Sequence, residues 1–199
     1  MTSPLLRLGA AAVTAILLAG CGSDPAPTAT DDSPTPTETP AAAPACPATL
    51  FDGNRAESKT ASAEATATPQ WGDISAAWVC TYTPGVSTEE RKSGWTLAGD
   101  QVEVTGADLD TLRTGLAGLL VPEENRGCTM DLGPRSLVLA QVDGGTVGIV
   151  MDHFGCRDVR LTSDPAGAVA GTTSDLGTVP GTLAPGAELQ SFLEAHIGD

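Results

Sequence analysis

Aromatic side chains are scarce in this sequence: three Trp, one Tyr and three Phe among 199 residues. Sites that hold sugars or single-stranded nucleic acids by stacking need aromatic faces. Only Trp71, Trp78 and Trp95 offer such a platform, and each reads first as a core residue or the cover of a sheet edge. Positive charge is also short: ten Lys and Arg stand against 25 Asp and Glu, a formal net charge of −15. A surface this acidic repels phosphate backbones and anionic headgroups, so nucleic acid is not an expected partner. Histidine is limited to His153 and His196. No two cysteines stand two to four residues apart and no histidine cluster accompanies them, which argues against zinc. The calcium loop of the EF-hand form is missing too. No metal or other cofactor is expected.

Catalytic patterns are equally thin. The sequence has no Gly-x-Ser-x-Gly elbow, no Ser-x-x-Lys and no glycine-rich strand-to-helix turn for phosphate. Two carboxylate pairs, Asp108 with Asp110 and Glu123 with Glu124, have the composition of a glycosidase site. The first falls at a helix start, where capping explains it, and the second in a solvated loop after Pro122. His153, next to Asp152, is the one candidate general base with a neighbouring carboxylate; its bland alternative is an exposed loop histidine. His196 falls in the last turn of a helix, where a cation is mildly favoured.

The N-terminus is more informative. Met1 to Leu6 leads to Arg7, Leu8 to Leu18 carry no charge, and the run closes on Leu18, Ala19, Gly20 and Cys21. A basic start, a short apolar core and small residues at its end read as a secretory signal, too short for a membrane span. Cys21 directly after those small residues resembles the lipobox of a bacterial lipoprotein, and the composition beyond it is similar to that of actinobacterial surface lipoproteins. The resemblance implies a signal peptide over residues 1–20, cleavage before Cys21 and a diacylglyceryl thioether on its sulfur, with palmitate-type chains. It implies a protein anchored by lipid at the extracytoplasmic face of the cell membrane. Plain secretion, with Cys21 a chance thiol, is the competing reading. Residues 22–45 repeat Pro, Thr, Ala, Ser and Asp with no basic, aromatic or branched apolar residue. Such a segment cannot bury a face and is expected to be a disordered tether, reaching roughly 25–30 Å if flexible and about 75 Å if polyproline-like.

Residues 46–199 remain as one domain with 21 acidic and nine basic side chains, a net charge of −12. Cys46, Cys80, Cys128 and Cys156 make an even set in an exported domain, which implies two disulfides. Nearest-neighbour pairing, Cys46 with Cys80 and Cys128 with Cys156, closes the shorter loops and is the expected connectivity. The stretch from Gly106 to Leu112 is similar to that from Gly186 to Phe192, and the cysteine spacing is similar in the two halves, so the domain reads as two related halves.

Trp78–Tyr82 reads as a strand, Trp95–Thr105 as a hairpin turning at Gly99-Asp100, and Leu137–Val142 with Thr146–Met151 as the strongest hairpin, turning at Asp143-Gly144-Gly145. Leu137 to Ala140 are apolar on both faces, so that strand is expected at the centre of a covered sheet. A further short strand is expected around Arg157–Leu161. Thr105 is placed to cap a helix whose stripe is Leu109, Leu112, Leu116, Leu119 and Leu120. Pro185 is placed to open a last helix carrying Leu189, Phe192, Leu193 and Ile197. Residues 162–184 read as a long irregular loop. The fold class is α+β: a largely antiparallel sheet with two packed helices.

Function follows by elimination. The first reading is a non-catalytic, membrane-tethered module that binds an extracellular protein or a small ligand. The second is a tethered hydrolase working near His153. The third is an inhibitor of another enzyme, presenting residues 84–93 or 162–184.

Overall fold

The computed structural model of the protein describes residues 43–50, 55–86, 93–124, 126–129 and 131–197. The signal 1–20, Cys21 and most of the tether lie outside the described residues, as does most of the charged loop 84–93.

Seven strands form one sheet whose strand pairings are all antiparallel. They are β1 (Thr49–Leu50), β2 (Ala76–Val86), β3 (Ser93–Leu97), β4 (Val102–Val104), β5 (Arg135–Val142), β6 (Gly145–Asp152) and β7 (Val159–Thr162). Three helices accompany them: α1 (Arg55–Ala61), α2 (Gly106–Ala117) and α3 (Ala187–Ala195). The order across the sheet is β1-β3-β2-β5-β6-β7, with β4 also beside β2. The domain is therefore α+β, with one short helix, α1, beyond the two expected.

Strand β5 is central, and its alternation explains why. Val138, Ala140 and Val142 join a core under α2 and α3 that includes Leu112, Leu116, Leu189 and Leu193. Leu137 and Leu139 point the other way, into a second core with Leu50, Cys80, Tyr82, Trp95 and Val150. A strand with both faces covered needs apolar residues at successive positions, as this one has. The β5–β6 connection turns at Asp143 and Gly144, with Gly144 at φ 94°, a conformation that glycine adopts without steric cost.

Four local expectations are corrected. Trp95–Thr105 is not a hairpin: β3 and β4 both pair with β2, one beyond the other along it. Gly99, at φ 83°, breaks one long strand rather than reversing it, and Ala98 N–H still donates to Thr81 O at 2.8 Å. Val102, in the resulting short piece, is 43% exposed although Val104 is buried. Thr105 occupies the N-cap of α2 but its side chain makes no capping bond. α2 stops at Ala117, so Leu120 leaves the apolar stripe and pairs its backbone with Ala184. α3 begins at Ala187 behind Gly186, not at Pro185.

The cysteines pair as expected, Cys46 with Cys80 and Cys128 with Cys156, with Cα separations of 6.0 and 4.7 Å. Their settings differ. Cys80 lies within β2 in the second core, whereas Cys156 follows β6. Residues 162–184 carry few regular elements but do not protrude. Gly171 N–H donates to Leu161 O, Gly181 N–H to Gly171 O and Thr182 N–H to Ala63 O, which presses Val169, Thr178 and Leu183 into buried positions.

Helices α2 and α3 touch at a glycine. A Cβ on Gly115 would stand 2.9 Å from both Cα and N of Leu189. That obstacle is backbone, so the helices must separate to admit a methyl group. Gly115→Ala is therefore expected to destabilise the domain by about 1–3 kcal/mol, the usual range for overpacking, even though alanine is the better helix former by up to ~1 kcal/mol. Urea denaturation measures it; an unchanged or raised midpoint would show that the helices are not held this close.

Candidate functional site

Register decides which polar groups meet. In a strand, neighbouring side chains leave on opposite faces. Asp152 and His153 are neighbours at the end of β6, so they part company. Asp152 accepts from Arg135 Nε and from Arg160 Nη2, the latter at 2.8 Å, on the face of the second core. His153 turns to the helix side, where its Nε2 shares a 2.8 Å hydrogen bond with Ser136 Oγ. The expected Asp152–His153 pair does not form, and His153 is not an exposed loop residue: it is 5% exposed and Ser136 is fully buried. Its Nδ1 has no hydrogen-bond partner among the described residues. A hydroxyl and an imidazole at hydrogen-bonding distance have the composition of a nucleophile and base, but here both are enclosed, away from any substrate.

Burial lowers the pKa of His153 below the ordinary histidine value, against an opposing pull from Glu194; Arg157 adds to the lowering and Asp152 opposes it. The unfolded chain takes up this proton at about pH 6.5, and the folded one only at lower pH. Stability contributed by neutral His153 is thus present above that pH and lost as pH falls through the window below it. His153→Gln is expected to flatten the fall in urea midpoint between about pH 7 and pH 5. Identical pH slopes in the two proteins would contradict this.

The remaining sequence candidates fall apart in space or are already occupied. Asp110 pairs with Arg113 at 2.7 Å, one turn along α2, and Asp108 lies in that helix's first turn. Glu123 and Glu124 are exposed. His196 caps α3, with Nδ1 2.8 Å from Phe192 O. Trp95 is buried, donates from Nε1 to Gly133 O at 3.0 Å and carries the Arg135 guanidinium 3.2 Å above its ring. Trp78 packs half-buried against the second core. Trp71 lines an open groove of about 410 Å³ with residues 68–74 and part of α2. The arginine in that groove, Arg113, is bound to Ile74 O through Nε at 2.8 Å.

A different cavity concentrates charge. On the face of β5–β7 opposite α2 and α3, Arg126, Arg135 and Arg160 interlock with Asp152 and Asp158. The five side chains are only 14–22% exposed. Beside this ladder lies a cavity of about 120 Å³. Leu137, Val150 and Arg160 form one cross-strand row of its floor. Ser58, Ala61 and Ser62, with residues 165 and 168–170, line its sides, and it is about as open to solvent as the groove at Trp71. Among the described residues, two arginines and no acidic side chain line the cavity, in a protein of net charge −15. Sequence reasoning missed Arg135, Arg160 and Ser136. An arginine between Val159 and Leu161 in a strand does signal an opposite face, but nothing local tells what covers that face.

Among the described residues, no helix is long and apolar enough to cross a membrane, and no group of three or more His, Cys, Asp or Glu is placed to hold a metal ion. Comparison with protein families, with curated proteins and with solved structures finds no match to this chain.

Proposed function

We propose that this protein is a lipid-anchored module that binds a ligand or partner at the extracytoplasmic face of the cell membrane without transforming it. The observation that carries the binding reading is the cavity beside the arginine–aspartate ladder, a concave site with apolar walls and a few convergent polar groups. The Leu18-Ala19-Gly20-Cys21 run supports the anchor, and the proline-rich segment after it supports a spacer between lipid and domain. The enclosed Ser136–His153 pair weighs against the hydrolase alternative, since a substrate reaches neither atom without an opening of the fold. The packing of Val169, Thr178 and Leu183 weighs against residues 162–184 as a protruding inhibitory loop. We also read the order β2, β3, β4, α2 followed by β5, β6, β7, α3 as two related halves, on the likeness of the segments that open α2 and α3.

Cross-linking on intact cells, followed by identification of what the domain touches, tests the binding reading. A specific partner or small ligand captured by the wild-type protein is the expected result. Hydrolytic turnover by the purified protein that disappears in His153→Ala would replace the module with an enzyme.

A further inference from the structure

We propose that the cavity over β5–β7 takes a small carboxylate, its oxygens held by Arg160 and its short apolar tail lying on Leu137, Val150 and Val169. The inference rests on the binding-module reading above and names the ligand class of that same site.

Arg160 is the reason. It stands on β7 between two buried neighbours, Val159 and Leu161, and its own side chain is 15% exposed. Among the described residues, Nη2 makes its hydrogen bonds: it donates to Asp152 Oδ2 at 2.8 Å and to Asp158 Oδ2 at 3.5 Å. A guanidinium carries five N–H donors in a planar fork. The donors on Nε and Nη1 have no protein hydrogen bond among the described residues, and this side chain lines the cavity. Asp152 and Asp158 thus engage Nη2, while Nε and Nη1 keep separate donors on opposite sides of the guanidinium. A carboxylate oxygen can accept a single charge-assisted hydrogen bond from such a donor, a bond stronger than one between neutral groups. The same lining holds Arg135 as well and, among the described residues, no carboxylate, which favours an anion over an ammonium.

Size and polarity narrow the ligand further. A volume of 120 Å³ corresponds to about four water-sized groups at ~30 Å³ each. That suits a carboxylate with a short alkyl chain and excludes a sugar or a nucleotide held entirely inside. The tail finds Leu137 and Val150 on the floor and Val169 in the cover, all buried apolar residues. Ser62 and Thr162 also line it, with Thr162 Oγ1 accepting from Asp164 N–H at 3.1 Å.

The test is titration of the isotope-labelled protein with sodium butyrate, read by backbone amide NMR, with butyramide and inorganic phosphate as comparison probes. Saturable shifts at Leu137, Val150, Arg160 and Val169 are expected with butyrate. Butyramide, which lacks the charge, is expected to bind about tenfold more weakly or worse, the scale of a lost charge-assisted hydrogen bond. Arg160→Gln is expected to lose butyrate binding to a similar degree. Because Arg160 also supports the ladder, Ser62→Phe serves as a second variant: it fills the cavity from its wall and leaves every arginine in place. No cavity shifts with butyrate, equal affinity for butyramide, stronger binding of phosphate, or unchanged binding in Ser62→Phe would each overturn the proposal. If butyrate fails while cross-linking recovers a partner on another face, the carboxylate assignment falls and the binding module stands. His153-dependent turnover removes the module whatever butyrate does.

Discussion

Replacing Cys21 with serine is expected to move the protein from the membrane fraction entirely into the soluble one. The proposed lipid at Cys21 is the anchor on which this account depends; among the described residues no helix is long and apolar enough to cross a membrane. The serine hydroxyl does not replace the thiol in a thioether, so no acyl chain is attached. Two acyl chains hold a protein stably where one is marginal; losing them is close to an all-or-none change. Fractionation of cells carrying each version reads the result. Persistent membrane association of Cys21→Ser would mean that something other than this sulfur holds the protein.

Removing the Cys46–Cys80 disulfide is expected to have the largest effect on stability. The bridge closes a loop between positions 34 residues apart, and the chain-entropy account assigns such a loop about 3–4 kcal/mol. The double variant Cys46→Ala, Cys80→Ala also disturbs the second core, where Cys80 is fully buried beside Tyr82 and Leu137. The same bridge fixes the segment before β1, whose Pro47 O accepts the Tyr82 hydroxyl at 2.7 Å. Cys128→Ala with Cys156→Ala opens a comparable loop of 28 residues, but Cys128 is exposed, so no core is disturbed. The first pair of substitutions is therefore expected to lower the urea midpoint more than the second. Equal losses would show that the buried bridge adds nothing beyond loop closure, and no loss would show that the bridge does not stabilise the fold.

What was legible in the sequence was the part set by local pattern. Leu137 to Val142 announced a central strand because apolar residues on successive positions require cover on both faces, and β5 has it. Asp143 and Gly144 announced their turn. The misread hairpin at Gly99 shows the limit of that reasoning, since a glycine with positive φ interrupts a strand as readily as it reverses one. Helix α1 was invisible because its residues, apart from Ala61, form no apolar stripe. The candidate site was less legible still. Ser136 meets His153 across the β5–β6 ladder, 17 residues away, while the adjacent Asp152 faces elsewhere. Arg160 comes to line a cavity only when α1 and residues 165–170 pack near its face. Both depend on long-range register and packing, which no local motif records.

The most direct test of the account is the mass of the N-terminal peptide from protein purified out of native membranes. The account predicts a mature chain beginning at Cys21, heavier than its sequence by a diacylglyceryl group on sulfur. A bare thiol at Cys21, or a peptide still joined to residues 1–20, would contradict it.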